Sequence, residues 1–135
     1  MKQTLTIESV MHPQPYTINI SADLATAIST LKEHGIRHLP VKEANGLVGV
    51  LTERDIDFAL RVDRKNAEEM LVRDAFTTDP YVVQPKTSVA EVAARMAHDH
   101  IGCALIVDGQ KLLGIFTTVD ACRVLSETLK GNPEQ

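Results

Sequence analysis

The stretch Gly49-Val50-Leu51-Thr52-Glu53-Arg54-Asp55 recurs as Gly114-Ile115-Phe116-Thr117-Thr118-Val119-Asp120. Every residue moves by the same step, from 49 to 114, a shift of 65 positions. The register holds without a gap outward to Pro15-Tyr16 against Pro80-Tyr81, through Ile36 against Ile101, and on to Leu60 against Leu125. A gapless correspondence over about 45 residues marks two copies of one supersecondary unit. It predicts a pseudo-two-fold arrangement with two equivalent clefts.

Each copy reads as β-α-β-β-α. In the first, Pro15-Tyr16-Thr17-Ile18-Asn19-Ile20 alternates as a short strand, and Asp23 caps a helix carrying Leu24, Ala27, Ile28 and Leu31 at helical spacing. Gly35 supplies a left-handed stop. His38-Leu39-Pro40-Val41 is the second strand, Asn45-Gly46 a hairpin turn, and Leu47 to Leu51 the third strand before a helix from Thr52 to about Val62. The second copy repeats the plan. It runs through Tyr81-Val82-Val83, a capping box at Ser88 and Glu91, a helix to about Asp99, Cys103 to Val107, a turn at Asp108-Gly109, Leu112 to Phe116, and a helix from Thr118 to about Leu129. Ile7 to Met11 and Ala67 to Phe76 each predict a helical turn. The copies are placed at 8–62 and 73–129, with 63–72 as linker. One copy alone has too little core, so the expectation is an α/β (α+β) fold whose two repeats pack through their sheets into one compact unit.

Composition removes several function classes. A formal net charge of −4 with no basic run argues against nucleic acid, which needs Lys and Arg to displace counterions. Aromatic content of 4% without Trp gives no stacking platform for single strands. No window approaches a membrane span, and Met1-Lys2-Gln3-Thr4 does not begin a secretory leader, so a reduced, cytoplasmic protein is expected. The tail from Lys130 to Gln135 reads as a frayed end. Cys103 and Cys122 read as small core residues. His98-Asp99-His100, with His34 at a similar helix end, reads as favourable contact with a helix C-terminus in place of a metal site. No Walker loop, GxSxG or HExxH is present, so no enzyme, metal or required cofactor is expected.

The shared pattern Gly-apolar-x-Thr-x-x-Asp sits at a strand-to-helix junction and has two compatible readings. Thr at the N-cap with an acidic residue three positions on is a capping signal. The same place also suits a nucleotide: helix N–H groups and the dipole favour phosphate, the Thr hydroxyl can donate to it, and an Asp can accept from two vicinal hydroxyls. The preceding glycine lets another group approach the backbone closely.

With these residues, from about Val10 to Leu125, the chain resembles a tandem pair of cystathionine-β-synthase (CBS) domains, a Bateman module of the stand-alone bacterial or archaeal type. The carrying residues are Gly35 to Val41 followed by Gly49 to Ile56, and Ile101 to Val107 followed by Gly114 to Asp120. The resemblance implies clefts between the repeats that bind adenine nucleotides, less often S-adenosylmethionine, and a module that dimerises. By position it assigns Thr52 and Thr117 to phosphate and Asp55 and Asp120 to ribose. Tyr16, Ile18, Val50, Tyr81, Val83 and Ile115 would line the base pocket. Arg37 and His38, with Ile36, Pro40 and Arg54 beside them, complete the first site, and Cys103 stands in the second.

The copies part company there: Gly102, Cys103 and Leu105 replace Arg37, His38 and Pro40. The site with Arg37, Thr52 and Asp55 is therefore expected to bind nucleotide more tightly; the alternative, left open by the sequence, is that Arg37 reaches across to the other cleft. The function expected is a non-catalytic sensor of AMP, ADP or ATP that acts as a homodimer and signals in trans to a partner protein. The alternative is a ligand-independent dimerisation module, using Ile56, Ala59 and Leu60 on one helix and Ala121, Cys122 and Leu125 on the other.

Overall fold

The computed structural model describes residues 5–44 and 46–131. Asn45 of the expected Asn45-Gly46 turn, the first four residues and the end of the tail therefore lie outside the described residues. The elements run α1 (Ile7–Val10), β1 (His12–Pro13), β2 (Ile18–Asn19), α2 (Leu24–His34), β3 (His38–Glu43), β4 (Gly46–Thr52) and α3 (Glu53–Asp63). Two 3-10 turns, Ala67–Glu69 and Val72–Asp74, lead to β5 (Thr77–Thr78) and β6 (Val82–Val83). Then come α4 (Val89–Asp99), β7 (Cys103–Asp108), β8 (Lys111–Thr117) and α5 (Thr118–Leu129).

Two compact units form, one from 15–80 and the other from 1–14 with 81–135. Neither is a bare sequence copy. The segment leading into each repeat joins the body of the other, because its short strand hydrogen-bonds there. In the 15–80 unit β5 adds to β4, giving the order β2-β3-β4-β5, with β2 parallel to β3 and the other pairs antiparallel. In the other unit β1 adds to β8 in the same way, giving β1-β8-β7-β6. Each unit closes a core of its own. Leu24, Ala27 and Leu31 of α2 meet Leu39, Val41, Leu51, Ile56 and Ala59, with Met70 and Val72 supplied by the leading segment. In the second unit Val89, Val92 and Met96 meet Ala104, Ile106 and Phe116, with Ile7 from the leading segment.

Local chemistry sets the helix ends. Asp23 accepts from the Thr26 amide and Ser88 from the Glu91 amide. The Ser88–Glu91 box forms only in its serine half. Gly35 ends α2 at φ 62°, as its position predicts. Its counterpart His100 ends α4 at φ 57°, the same turn at a steric cost glycine does not carry.

Gly49 and Gly114 pair with the leading strands, at Thr78 and Pro13. A Cβ on Gly49 would overlap the Thr77 carbonyl and the Phe76 ring; on Gly114 it would overlap the Met11 sulfur and the His12 carbonyl. The close approach anticipated at this glycine is therefore made by the protein's own leading segment, through backbone carbonyls and the Phe76 and Met11 side chains. Gly49→Ala or Gly114→Ala should lower stability by about 1–3 kcal/mol in urea denaturation. Gly46→Ala, where the nearest atom lies at 3.9 Å, should change it far less.

Candidate functional site: the Thr-x-x-Asp junctions

Strand alternation gathers the motif residues onto one face of each sheet. In the 15–80 unit His38 pairs with Thr52, Pro40 with Val50, and Val50 with Thr77. These five lie on the face opposite Leu39, Val41 and Leu51, which belong to the core. In the other unit Cys103 pairs with Thr117, and Leu105 and His12 both pair with Ile115, opposite Ala104, Ile106 and Phe116.

Two residues assigned to the base pocket lie elsewhere. Ile18 pairs with Val41 and Val83 with Ile106, so both side chains enter the cores. Ile36 also packs on a core. Tyr16 stacks on His34, centroids 3.6 Å apart and planes at 12°, and Tyr81 lies under the Arg95 guanidinium at 5.2 Å. Both rings are thus held by the last turns of α2 and α4. Val50 and Ile115 remain on the motif faces.

Both motifs build complete capping boxes. The Thr52 amide donates to Asp55 Oδ2 at 3.0 Å and the Asp55 amide to Thr52 Oγ1 at 3.0 Å. Thr77, a residue no motif marks, donates its hydroxyl to both Asp55 oxygens at 3.2 and 3.3 Å. The Glu53 amide donates to the Arg37 carbonyl at 3.2 Å, which fixes Arg37 at the start of α3. Thr52 Oγ1 is an acceptor here, so its own proton is available to a ligand oxygen.

The second junction repeats the backbone and changes the side chains. The Thr117 amide donates to Asp120 Oδ2 at 2.8 Å, the Asp120 amide to Thr117 Oγ1 at 3.4 Å, and the Thr118 amide to the Gly102 carbonyl at 3.2 Å. His12 occupies the position of Thr77. The Thr117 hydroxyl turns to Asp120 Oδ2 at 3.2 Å. Arg123 donates to Asp120 Oδ1 at 3.4 Å and to the Val10 carbonyl at 3.0 Å.

Other expectations sort by exposure. Cys103 is buried and its thiol is pushed up to about 12 by loss of solvation, which makes it unreactive. Cys122 is exposed, against expectation, because Ala121 and Val124 are the α5 residues that turn to the core. Ile56 and Ala59 are core residues as well, and so are not available to an interface. His98 pairs with Asp99 at 2.8 Å, and no group of three metal-ligating side chains occurs among the described residues. No helix among them is long and apolar enough to cross a membrane.

The fold and the paired junctions define a tandem-repeat α/β module with one capped Thr-x-x-Asp site per unit. A model of the CBS domain matches residues 7–62 and 72–127, and the chain belongs to the CBS domain family. CBS pairs are regulatory modules. The chain is 30% identical over 127 residues to an L-aspartate semialdehyde sulfurtransferase from Methanocaldococcus jannaschii, covering 92% of this chain and 24% of that protein. It thus spans about a quarter of the first curated relatives it matches, longer proteins named as enzymes in which the CBS pair is a minor part. A candidate acetoin utilization protein (AcuB) from Vibrio cholerae superposes with a TM-score of 0.88 at 28% identity, covering 98% of each chain. The CBS domain pair of protein MJ0100, solved with 5′-methylthioadenosine and S-adenosyl-L-methionine, superposes with a TM-score of 0.84 at 24% identity. That alignment covers 93% of this chain and 99% of that one.

His38 gives the first junction a pH signature. Burial disfavours its imidazolium and Arg37 repels it, against a smaller pull from Asp55, so its pKa lies below the usual 6.5. The unfolded chain therefore takes up this proton first, and the stability contribution is lost as pH falls below 6.5 toward the folded value. His38→Gln should flatten the fall of the urea midpoint as pH drops below 6.5, relative to the wild type.

Proposed function

We propose that this chain is a non-catalytic regulatory module that binds AMP, ADP or ATP at its Thr-x-x-Asp junctions and signals to a partner protein. One observation carries the reading: at the first junction a capped Asp55 and the free proton of Thr52 stand together at a helix N-terminus beside Arg37. Asp55 offers two acceptor oxygens to a vicinal diol, and the Thr77 hydroxyl can give way to them by rotation. Thr52 and Arg37 supply donors for phosphate, the guanidinium bidentately. Two free thiols agree with action in the reduced cytoplasm. The bound state becomes a signal only if the ligand prefers one of two conformations of the module.

A nucleotide at 100 times its Kd should stabilise the native state by about 2.7 kcal/mol and raise the melting midpoint. Asp55→Ala should weaken AMP binding by about ten-fold or more, as expected for loss of hydrogen bonds to a charged group. Thermal melts with AMP, ADP and ATP check the first and calorimetric titration of AMP the second. Absence of any shift with all three at millimolar concentration would sink the proposal.

The second reading, a module that works by self-association, draws on exposed apolar side chains. Phe58 and Val62 on α3 are 68% and 60% exposed, and Leu125 and Leu129 on α5 are 57% and 75% exposed. Sedimentation should show a dimer that Phe58→Glu or Leu125→Glu converts to monomer with the fold retained. A wild-type monomer at all concentrations would remove this reading.

A further inference from the structure

Each leading segment meets the turn ahead of a helix in the same backbone frame. In the 15–80 unit the Val72 amide donates to the Ala22 carbonyl at 2.8 Å and the Arg73 amide to the Ile20 carbonyl at 3.1 Å. In the other unit the Ile7 amide donates to the Thr87 carbonyl at 2.7 Å and the Glu8 amide to the Pro85 carbonyl at 3.1 Å. Isolated bridges join Asp23 to Leu71 and Thr6 to Ser88 in the same register. Every position differs by the repeat step of 65, so Arg73 stands against Ser21 as Glu8 stands against Lys86.

The side chains in this shared frame differ in charge. Lys86 Nζ meets Glu8 Oε2 at 2.6 Å, a complete ion pair. In the equivalent place the Arg73 guanidinium donates to the Ser21 hydroxyl at 3.1 Å. Among the described residues Arg73 pairs with no carboxylate. The carboxylates nearest in sequence are engaged with backbone: Asp23 accepts from the Thr26 amide at 2.8 Å and Asp74 from the Leu71 amide at 3.0 Å. Ser21 and Arg73 are both exposed, and Asn19 Oδ1 accepts from the Ser21 amide at 2.8 Å, which fixes the turn that presents the hydroxyl.

A guanidinium fork can serve two acceptor oxygens of one anion, and here it meets a single neutral oxygen. A phosphate ester at that oxygen supplies three acceptors and about two negative charges. We propose that Ser21 is a phosphorylation site whose phosphate is held by Arg73. The donor is ATP bound to a protein kinase. The bond from Ser21 Oγ to the γ-phosphorus forms, the bond from that phosphorus to the β-phosphate oxygen breaks, ADP leaves, and the hydroxyl proton passes to the kinase. The 15–80 unit then gains the ion pair that its counterpart already carries. The phosphate ties the turn ahead of α2 to the leading segment that sends Met70 and Val72 into the core and Thr77 to Asp55. This site does not depend on the reading of the junctions as nucleotide sites.

The full chain carrying phosphoserine at position 21, installed by codon suppression, should melt about 2–4 °C above the unmodified chain. In the Arg73→Ala background the same modification should give no rise. Phosphorus NMR adds a readout that stability alone does not move: the second phosphate ionisation should occur at lower pH with Arg73 present than in Arg73→Ala, because the cation favours the dianion. Peptide mass spectrometry of the chain isolated from its own cells, in growth and in starvation, should find the mass of one phosphate on Ser21. No rise in the melting midpoint, a rise or an ionisation that Arg73→Ala leaves unchanged, or an unmodified Ser21 in both states would each overturn the proposal.

Discussion

The arrangement turns on a backbone contact that tolerates no side chain. A short leading strand lies against the motif strand at Gly49 in one unit and Gly114 in the other, closer than any Cβ permits. That contact fixes how far each leading segment slides along its sheet. It brings Thr77 onto the Asp55 carboxylate and places the Val10 carbonyl within reach of Arg123. The motif glycine therefore serves the binding geometry indirectly, by setting which groups surround the Asp.

Duplication has kept the architecture and released the chemistry. The caps recur at both junctions, as do the left-handed helix ends at Gly35 and His100 and the hairpins with their register shift after the fourth pair. These are interactions of backbone and short side chains, of which each N-cap contributes about 1 kcal/mol. The groups that would touch a ligand are free of that constraint because they are exposed. Hence Arg37 can become Gly102 and Arg54 can become Val119 with no core residue disturbed.

Much of this was legible in the sequence because the signals are local. The Thr52 and Thr117 caps, the Asp23 cap and the strand pairs β3–β4 and β7–β8 follow from turn chemistry and alternation over six or seven residues. The failures come from short or long-range signals. Two-residue strands carry no readable period, so Ile18 and Val83 could be placed on the motif face when they belong to the cores. Cys122 and Ala59 were misplaced because a helix face turned to a small core is narrow, and one step of 100° reverses burial. Thr77 was invisible because its meaning arises only when the leading strand crosses to the other repeat's body.

That crossing makes one unit a continuous stretch of chain, 15–80, which falls in sequence between the two segments of the other. The continuous unit has every strand within reach once residue 80 has left the ribosome, so it can form first. The discontinuous unit must join His12 to Ile115, a closure whose entropic cost grows with the free chain between them. With 15–80 already folded, most of that intervening chain is no longer free, and the closure becomes correspondingly easier. Synthesis from the N-terminus therefore offers the 15–80 unit all of its strands before the other unit has all of its own.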